Sequence, residues 1–128
     1  MPFVRIDLLQ GRSPDERAAI GDAVYEAMAE TIDIPSGDRF QVITEHEQAD
    51  LRYEPDFLGV HRDDGLIFIH FTMRSGRTQA QKRALYRRVT ELLSERFGVR
   101  PGNVFMSITE NELIDWSLGD GVAQLVPE

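Results

Sequence analysis

The sequence contains no cysteine among its 128 residues. This absence excludes a disulfide framework, a thiol nucleophile and a cysteine-ligated metal site. Apolar runs are short, and none approaches the ~18 residues that a membrane-spanning helix requires. The first residues also lack the layout of a secretory signal, so we expect a cytoplasmic protein with no membrane partner.

Positive charge is scarce, because 14 Lys and Arg residues are outnumbered by 22 Asp and Glu residues, giving a net charge of −8. Such a negative field argues against nucleic acid or an anionic membrane as the partner. A small anionic substrate would need a local cluster of arginines. The histidines His46, His61 and His70 show no spacing typical of metal ligands, so we predict no metal site. For His70, within a predicted strand, a buried structural role is the better interpretation.

The most informative pattern in the sequence is an internal repeat of 65 residues. Residues 3–45 align with residues 68–110 without a gap, and 12 of the 43 aligned positions are identical. Unrelated segments would share about two or three identities, so the repeat indicates a duplicated supersecondary unit. We predict one domain over residues 1–128, with repeat units 2–45 and 67–110, a linker at 46–65 and a C-terminal segment at 112–128.

Each repeat unit is predicted to form a strand, a helix and a second strand. Val4, Ile6 and Leu8 alternate with polar residues, which is typical of a half-buried strand. The helices begin after Ser13 and Thr78, two residue types that favour helix N-caps. The predicted strands cover residues 2–9, 39–44, 66–73 and 104–109, and the predicted helices cover 14–31 and 79–97.

Two such βαβ units predict an α+β fold in which a four-stranded sheet carries both helices on one face. The opposite face also holds apolar residues, among them Phe3, Phe40, Phe68 and Phe105. A sheet that is covered on one side only must bury its other face, so we expect self-association. In residues 112–128, two short strand-like segments flank a glycine-rich turn at residues 119–121. This pattern predicts a C-terminal β-hairpin.

Pro2 follows the initiator methionine and opens the first predicted strand. Initiator methionine is usually removed when a small residue follows, and Pro2 would then carry a free secondary amine. An α-amino group has a pKa of roughly 8 before its surroundings act on it. Desolvation or a neighbouring cation lowers that pKa and favours a base, whereas a neighbouring carboxylate raises it and favours an acid. An ordinary Met-Pro start is the alternative interpretation.

A βαβ unit that begins with proline and is doubled within one chain resembles the tautomerase superfamily. The likeness is carried by Pro2, by Asp38 before the second strand, and by Arg74 and Arg77 after the third strand. Residues 115–119 near the C-terminus add to it. Together these positions look like the malonate semialdehyde decarboxylase branch over almost the full chain. The resemblance to that branch implies that this chain forms homotrimers of doubled βαβ subunits. It also implies that the protein acts without a cofactor on a small anionic oxo-acid.

Carried onto this sequence, the resemblance implies two overlapping sets of site residues. The catalytic residues would be Pro2, Asp38, Arg74 and Arg77. The substrate-binding residues would be Arg74, Arg77, Trp116, Leu118 and Leu125. The chain departs from the branch in two ways: two residues rather than one separate the arginines, and both leucines stand where aromatics are expected. The related chloroacrylate dehalogenases use a histidine on the first helix, and residues 14–32 contain none.

Each candidate also has a structural interpretation. Arg77 directly precedes Thr78, the predicted N-cap of the second helix, and a helix N-terminus attracts anions. Arg12 stands at the equivalent position of the first repeat, which fits a structural role for Arg77 instead. Asp38 has Asn103 as its repeat partner, and either side chain could hydrogen-bond its own turn. Trp116 would form the wall of a pocket, or pack the tail onto a neighbouring subunit.

Three functions stay open from the sequence. The first is decarboxylation of malonate semialdehyde or a similar oxo-acid, in which Pro2 acts on the carbonyl and the arginines hold the carboxylate. The second is an enol–keto tautomerase or hydratase reaction at the same site, with Pro2 as the base. The third is an oligomeric binding protein that keeps the scaffold without the chemistry, because a fold alone does not guarantee activity.

Overall fold

The computed structural model describes residues 2–128. Met1 lies outside the described residues, and the expectation that it is removed concerns this residue. The strands and helices follow one another in the predicted order, strand–helix–strand twice. They are β1 (Pro2–Leu9), α1 (Pro14–Thr31), β2 (Gln41–His46), β3 (Ile67–Arg74), α2 (Gln79–Phe97) and β4 (Val104–Asn111).

The four strands form one mixed sheet in the order β2-β1-β3-β4. β1 and β2 are parallel, as are β3 and β4, whereas β1 and β3 are antiparallel. Pro2 pairs with Met73 across the two central strands. The beginning of β1 and the end of β3 therefore meet at one end of the sheet, with Arg74 directly after this pair. The predicted α+β fold of two βαβ units is confirmed.

Both helices pack on the same face of the sheet and enclose the core. Val4, Ile6 and Leu8, every second residue of β1, are at most 1% exposed beneath them. Full burial of side chains of this kind contributes ~1.5–3 kcal/mol each. The Ser13 hydroxyl accepts a hydrogen bond from the Glu16 N–H at 3.1 Å, which caps the start of α1. Among the described residues, no helix is both long and apolar enough to cross a bilayer.

The opposite face of the sheet stays partly open within residues 2–128. Phe3 and Phe105 are 37% and 43% exposed. Phe68 contacts Phe105 edge-to-face, with 5.1 Å between the ring centroids. His70 is half-buried rather than buried, because it lies on this open face opposite Arg5 of β1. One copy of the chain therefore leaves a strip of aromatic side chains in contact with solvent.

The prediction of a C-terminal β-hairpin in residues 112–128 is wrong. In the described chain no strand follows β4, and a short 3-10 turn at Leu113–Asp115 is followed by bends. Gln124 explains the difference: its Oε1 accepts the Leu118 N–H at 2.9 Å, and its Nε2 donates to the Gly119 carbonyl at 2.8 Å. These side-chain bonds use the backbone groups that a hairpin ladder would pair.

The linker at 46–65 packs back on the second βαβ unit. The Asp63 N–H donates to Asn103 Oδ1 at 2.9 Å, and Asn103 Nδ2 donates to Asp63 Oδ1 at 2.8 Å. The Gly65 N–H and then the Asn103 amide hold the pKa of Asp63 below its usual range. Asn103 is buried and bonds the linker, so the repeat partner of Asp38 has a structural role.

Candidate active site

Four segments converge at the end of the sheet where β1 begins: the loop before β2, the end of β3, the start of α2 and the tail after β4. Together they line a cleft of about 370 Å³, which we call the arginine cleft. It brings together Asp33, Asp38, Arg74, Arg77, Leu113 and Leu125. Convergent charges beside apolar side chains are typical of small-ligand sites. Within residues 2–128, no group of His, Asp or Glu side chains is arranged to hold a metal ion.

Asp38 links the arginine cleft to Pro2. Pro2 is the buried first residue of β1, and it lines a narrow crevice with Asp38 and Phe40. Asp38 lines the arginine cleft as well, and it is only 8% exposed. Its N–H donates to the Pro35 carbonyl at 3.2 Å, which fixes the turn that carries the carboxyl group. Asp38 therefore lines both spaces, and both of its carboxyl oxygens are buried.

Arg74 and Arg77 differ in their surroundings. Arg74 ends β3 and is exposed, whereas Arg77 is half-buried. The Arg77 guanidinium donates to the Ile32 carbonyl at 3.3 Å and to the Arg74 carbonyl at 3.4 Å. Burial lowers the pKa of Arg77 below its ordinary value, and the charge of Arg74 lowers it further. Asp38 and Glu110 raise the same pKa. Two guanidinium groups that repel each other in this way favour a bound anion between them.

The tail after β4 forms an apolar wall beside these groups. Trp116 and Leu118 line a second cleft of about 320 Å³ together with Phe3 and Phe40. The Trp116 Nε1–H donates to Asn111 Oδ1 at 2.8 Å, which fixes the indole to the end of β4. Phe40 also lines the narrow crevice, so the second cleft adjoins it. The apolar wall that the resemblance implies is therefore divided: Trp116 and Leu118 line the second cleft, and Leu125 lines the arginine cleft.

Two family models, both described as tautomerase enzyme, match the chain at residues 38–119 and 2–60. The first match alone covers more than half of the chain. The chain belongs to the tautomerase superfamily. The two matches together span Pro2, Asp38, the pair Arg74 and Arg77, and the Trp116 segment of this chain.

Individual proteins resemble the chain over nearly its whole length. The probable tautomerase YusQ of Bacillus subtilis (strain 168) is 41% identical over 126 residues, which cover 98% of this chain and 99% of the relative. A structure of a malonate semialdehyde decarboxylase inhibited by 3-bromopropiolate is 42% identical, covering 95% of this chain and 92% of that one, with a TM-score of 0.88. A further malonate semialdehyde decarboxylase, described as having decarboxylase and hydratase activities, is 28% identical over 96% of this chain and 95% of its own, with a TM-score of 0.89. The resemblance to this branch of the tautomerases is confirmed.

Several residues of this site, Asp33 among them, have no place in the site predicted from the sequence. Phe3 and Phe40 were predicted only for the open sheet face, although their recurrence in the second repeat marks them as paired positions. Leu113 lines the arginine cleft from the short turn that replaces the predicted hairpin. Asn111 carries no signal in the repeat, because its partner at the equivalent position is His46.

Proposed function

We propose that this protein decarboxylates malonate semialdehyde, or a small oxo-acid like it, without a cofactor. One observation carries the proposal: Asp38 lines both the crevice at Pro2 and the cleft with Arg74 and Arg77. An amine, a carboxyl group and two guanidinium groups in one small site can bind a carboxylate and polarise a carbonyl. The 42% identity to a malonate semialdehyde decarboxylase supports this substrate class.

In the proposed reaction, Arg74 and Arg77 bind the substrate carboxylate through charge-assisted hydrogen bonds. The protonated Pro2 amine donates a hydrogen bond to the aldehyde oxygen. The bond between the carboxylate carbon and the methylene carbon then breaks, and its electron pair forms an enolate whose oxygen is stabilised by Pro2. CO₂ leaves, and a proton added to the methylene carbon gives acetaldehyde.

Asp38 and the apolar wall have supporting roles in this reaction. A carboxylate near the Pro2 amine raises the pKa of the amine and keeps it protonated, as an acid role requires. Trp116, Leu118 and Leu125 present apolar surface to the substrate. Such surface disfavours a charged carboxylate relative to neutral CO₂.

The same groups permit a covalent route. The unprotonated Pro2 amine would condense with the aldehyde, release water and form an iminium that accepts the electron pair from the breaking bond. Borohydride distinguishes the two routes during turnover. Reduction of the iminium leaves the carbon group of the substrate bound to the Pro2 nitrogen, without the oxygen lost as water, and so increases the mass of the chain. The hydrogen-bonded route leaves that mass unchanged.

Ketonisation of an enol, or hydration of an unsaturated acid, is the second candidate. Ketonisation is supported by the relatives YusQ and YrdN of Bacillus subtilis, 41% and 32% identical to this chain, which are both described as probable tautomerases. Pro2 would act as a base in this reaction, so its amine would need a pKa near or below neutrality.

Side-by-side assays test the two candidates. CO₂ and acetaldehyde are measured with malonate semialdehyde, and loss of enol absorbance is measured with phenylenolpyruvate. We expect the higher kcat/KM with malonate semialdehyde; a higher value with the enol would favour the tautomerase. No turnover of either substrate, together with an intact Met1 by mass spectrometry, would favour an oligomeric binding protein, because acylation removes the basicity of the Pro2 nitrogen.

We further propose that the active protein is a homotrimer. The proposal is supported by the aromatic side chains of the open sheet face, Phe3 and Phe105, and by Phe40 beside it, which is 52% exposed. Exposed apolar patches of this kind commonly mark protein interfaces. Light scattering after size exclusion is expected to give three times the 14.6 kDa mass of one chain. The mass of a single chain would contradict the proposal.

A further inference from the structure

We infer that Asn111 is a positioning residue, which holds the Trp116 wall and the arginine loop (residues 74–77) in a fixed relation. The inference rests on the proposed function, because it concerns how that site binds a carboxylate. Asn111 is the half-buried last residue of β4. It acts through the two elements that it bonds rather than through contact with the substrate.

Asn111 bonds both elements at once. In the register of β3 and β4 it pairs with Arg74. Its backbone carbonyl accepts the Ser75 N–H at 2.7 Å, inside the arginine loop. Its side-chain Oδ1 accepts the Trp116 Nε1–H at 2.8 Å. One residue therefore sets the separation between the guanidinium side and the apolar side of the site.

Glu112 reinforces the same arrangement from the next position. The Ser75 hydroxyl donates to Glu112 Oε1 at 2.9 Å, and the Glu112 N–H donates to Asp115 Oδ2 at 2.8 Å. These bonds hold the arginine loop on one side and the short turn before Trp116 on the other. Of this group, Asn111 is the residue that bonds the indole ring itself.

The residue at the end of β2, which corresponds to Asn111 at the end of β4, has a different role. His46 is the equivalent residue at the end of β2, and its Nε2 contacts Asp7 Oδ1 at 2.6 Å within the sheet. Leu51 follows a short 3-10 turn at Gln48–Asp50 after β2, as Trp116 follows the turn at Leu113–Asp115 after β4, and it is a buried aliphatic residue, 6% exposed. The bond between Asn111 and Trp116 is thus specific to the end of the sheet that carries the candidate site.

Loss of this bond is expected to weaken substrate binding more than the chemical step. Without its acceptor, the indole N–H must turn toward water to remain hydrogen-bonded. Trp116 then shifts within the second cleft, which adjoins the Pro2 crevice through Phe40. A substrate that extends from the arginines toward Pro2 then meets a misplaced apolar wall. Displacements of about 1 Å at a site can cost up to ~10²-fold in rate or binding. Pro2 is held by β1 and β3, so its position is unaffected.

The test is Asn111→Leu, which removes the acceptor and keeps a side chain of similar shape. We expect KM for malonate semialdehyde to rise about 10-fold while kcat changes less than about 3-fold. Trp116 is the single tryptophan of the chain, so its fluorescence reports the same bond. Its emission is expected to move to longer wavelength, with stronger quenching by acrylamide. His46→Leu is the matched control, and is expected to leave KM and the emission unchanged.

Trp116→Phe removes the donor without altering β4, and provides a second variant if Asn111→Leu folds poorly. If the hydrogen bond between the Asn111 and Trp116 side chains causes the rise in KM, the double variant Asn111→Leu/Trp116→Phe has a KM no higher than that of the more impaired single variant. A wild-type KM in Asn111→Leu, with or without altered emission, overturns the inference. Additive increases in KM for the two variants overturn it as well.

Failure of the proposed function would be seen separately, as a wild-type protein without turnover. In that case the affinity for malonate, a dicarboxylate that lacks the aldehyde, replaces KM and is measured by calorimetry. Affinity about 10-fold weaker in Asn111→Leu and unchanged in His46→Leu supports the positioning role. Equal affinity in all three proteins overturns it.

Discussion

Pro2→Ala is expected to lower kcat/KM for decarboxylation about 10²-fold or more, because positioned acid–base groups typically contribute ~10²–10⁴-fold to the rate. The substitution changes the secondary amine to a primary amine and removes the ring that fixes the backbone φ angle. Pro2 pairs with Met73 in the sheet, so the rigid ring also sets the direction of the amine. The remaining primary amine accounts for residual activity. Steady-state release of CO₂ measures the effect.

Pro14→Ala serves as the control for Pro2→Ala, because Pro14 is the first residue of α1 and lies outside the candidate site. Its kcat/KM is expected to equal that of the wild type. The intact mass of each protein must show the same processing of Met1 before rates are compared. Full turnover by Pro2→Ala would remove the amine from the mechanism and leave the arginine cleft as a binding site.

The repeat makes most of the fold predictable from the sequence, because each unit supplies the same strand and helix signals. The predicted bounds of α1, Pro14–Thr31, agree with the structure, since the cap and the apolar stripe are local signals. β2 begins at Gln41, two residues later than predicted. Arg39 explains the shift, because it forms an ion pair with Asp22 and lies 5.0 Å from the centroid of the Tyr25 ring. Contacts between residues that are distant in the chain leave no local pattern in the sequence from which the start of β2 could be predicted.

The charged residues of the candidate site are predictable from the sequence, but the hydrogen bonds that position the site residues are less so. The resemblance places Asp38, Arg74 and Arg77 in one site, and the structure brings all three into one cleft. The contact between Arg77 and the Ile32 carbonyl joins residues 45 apart in the chain, so no motif reveals it. Asn111 bonds a residue five positions away, but as an Asn at the end of a strand it resembles an ordinary turn residue.

Arg74→Ala and Arg77→Ala are expected to impair the same reaction to a similar extent. Each guanidinium donates to the substrate carboxylate in the proposed complex, and hydrogen bonds to charged groups contribute ~1.5–3 kcal/mol. We therefore expect kcat/KM to fall about 10²-fold in each variant, mainly through KM. Arg74→Lys is expected to recover only part of the loss, because lysine keeps the charge without the planar pair of donors.

The two variants are expected to differ in stability, which separates binding from folding. Arg77 donates to the Ile32 carbonyl at 3.3 Å, just after α1, so Arg77→Ala also removes a contact that supports the fold. We expect a loss of about 1 kcal/mol and a Tm lower by about 4 °C. Arg74 is exposed, so Arg74→Ala is expected to keep the Tm of the wild type in thermal unfolding followed by circular dichroism.

Arg12→Ala is the matched control for Arg77, because Arg12 occupies the equivalent repeat position at the opposite end of the sheet. It is expected to leave kcat/KM unchanged. If Arg12→Ala lost as much activity as Arg77→Ala, the loss would come from the fold rather than from carboxylate binding. If Arg74→Ala turned over substrate at the wild-type rate, Arg74 would be a solvated loop residue. Arg77 alone would then have to bind the carboxylate, and the proposed pair of guanidinium groups would be wrong.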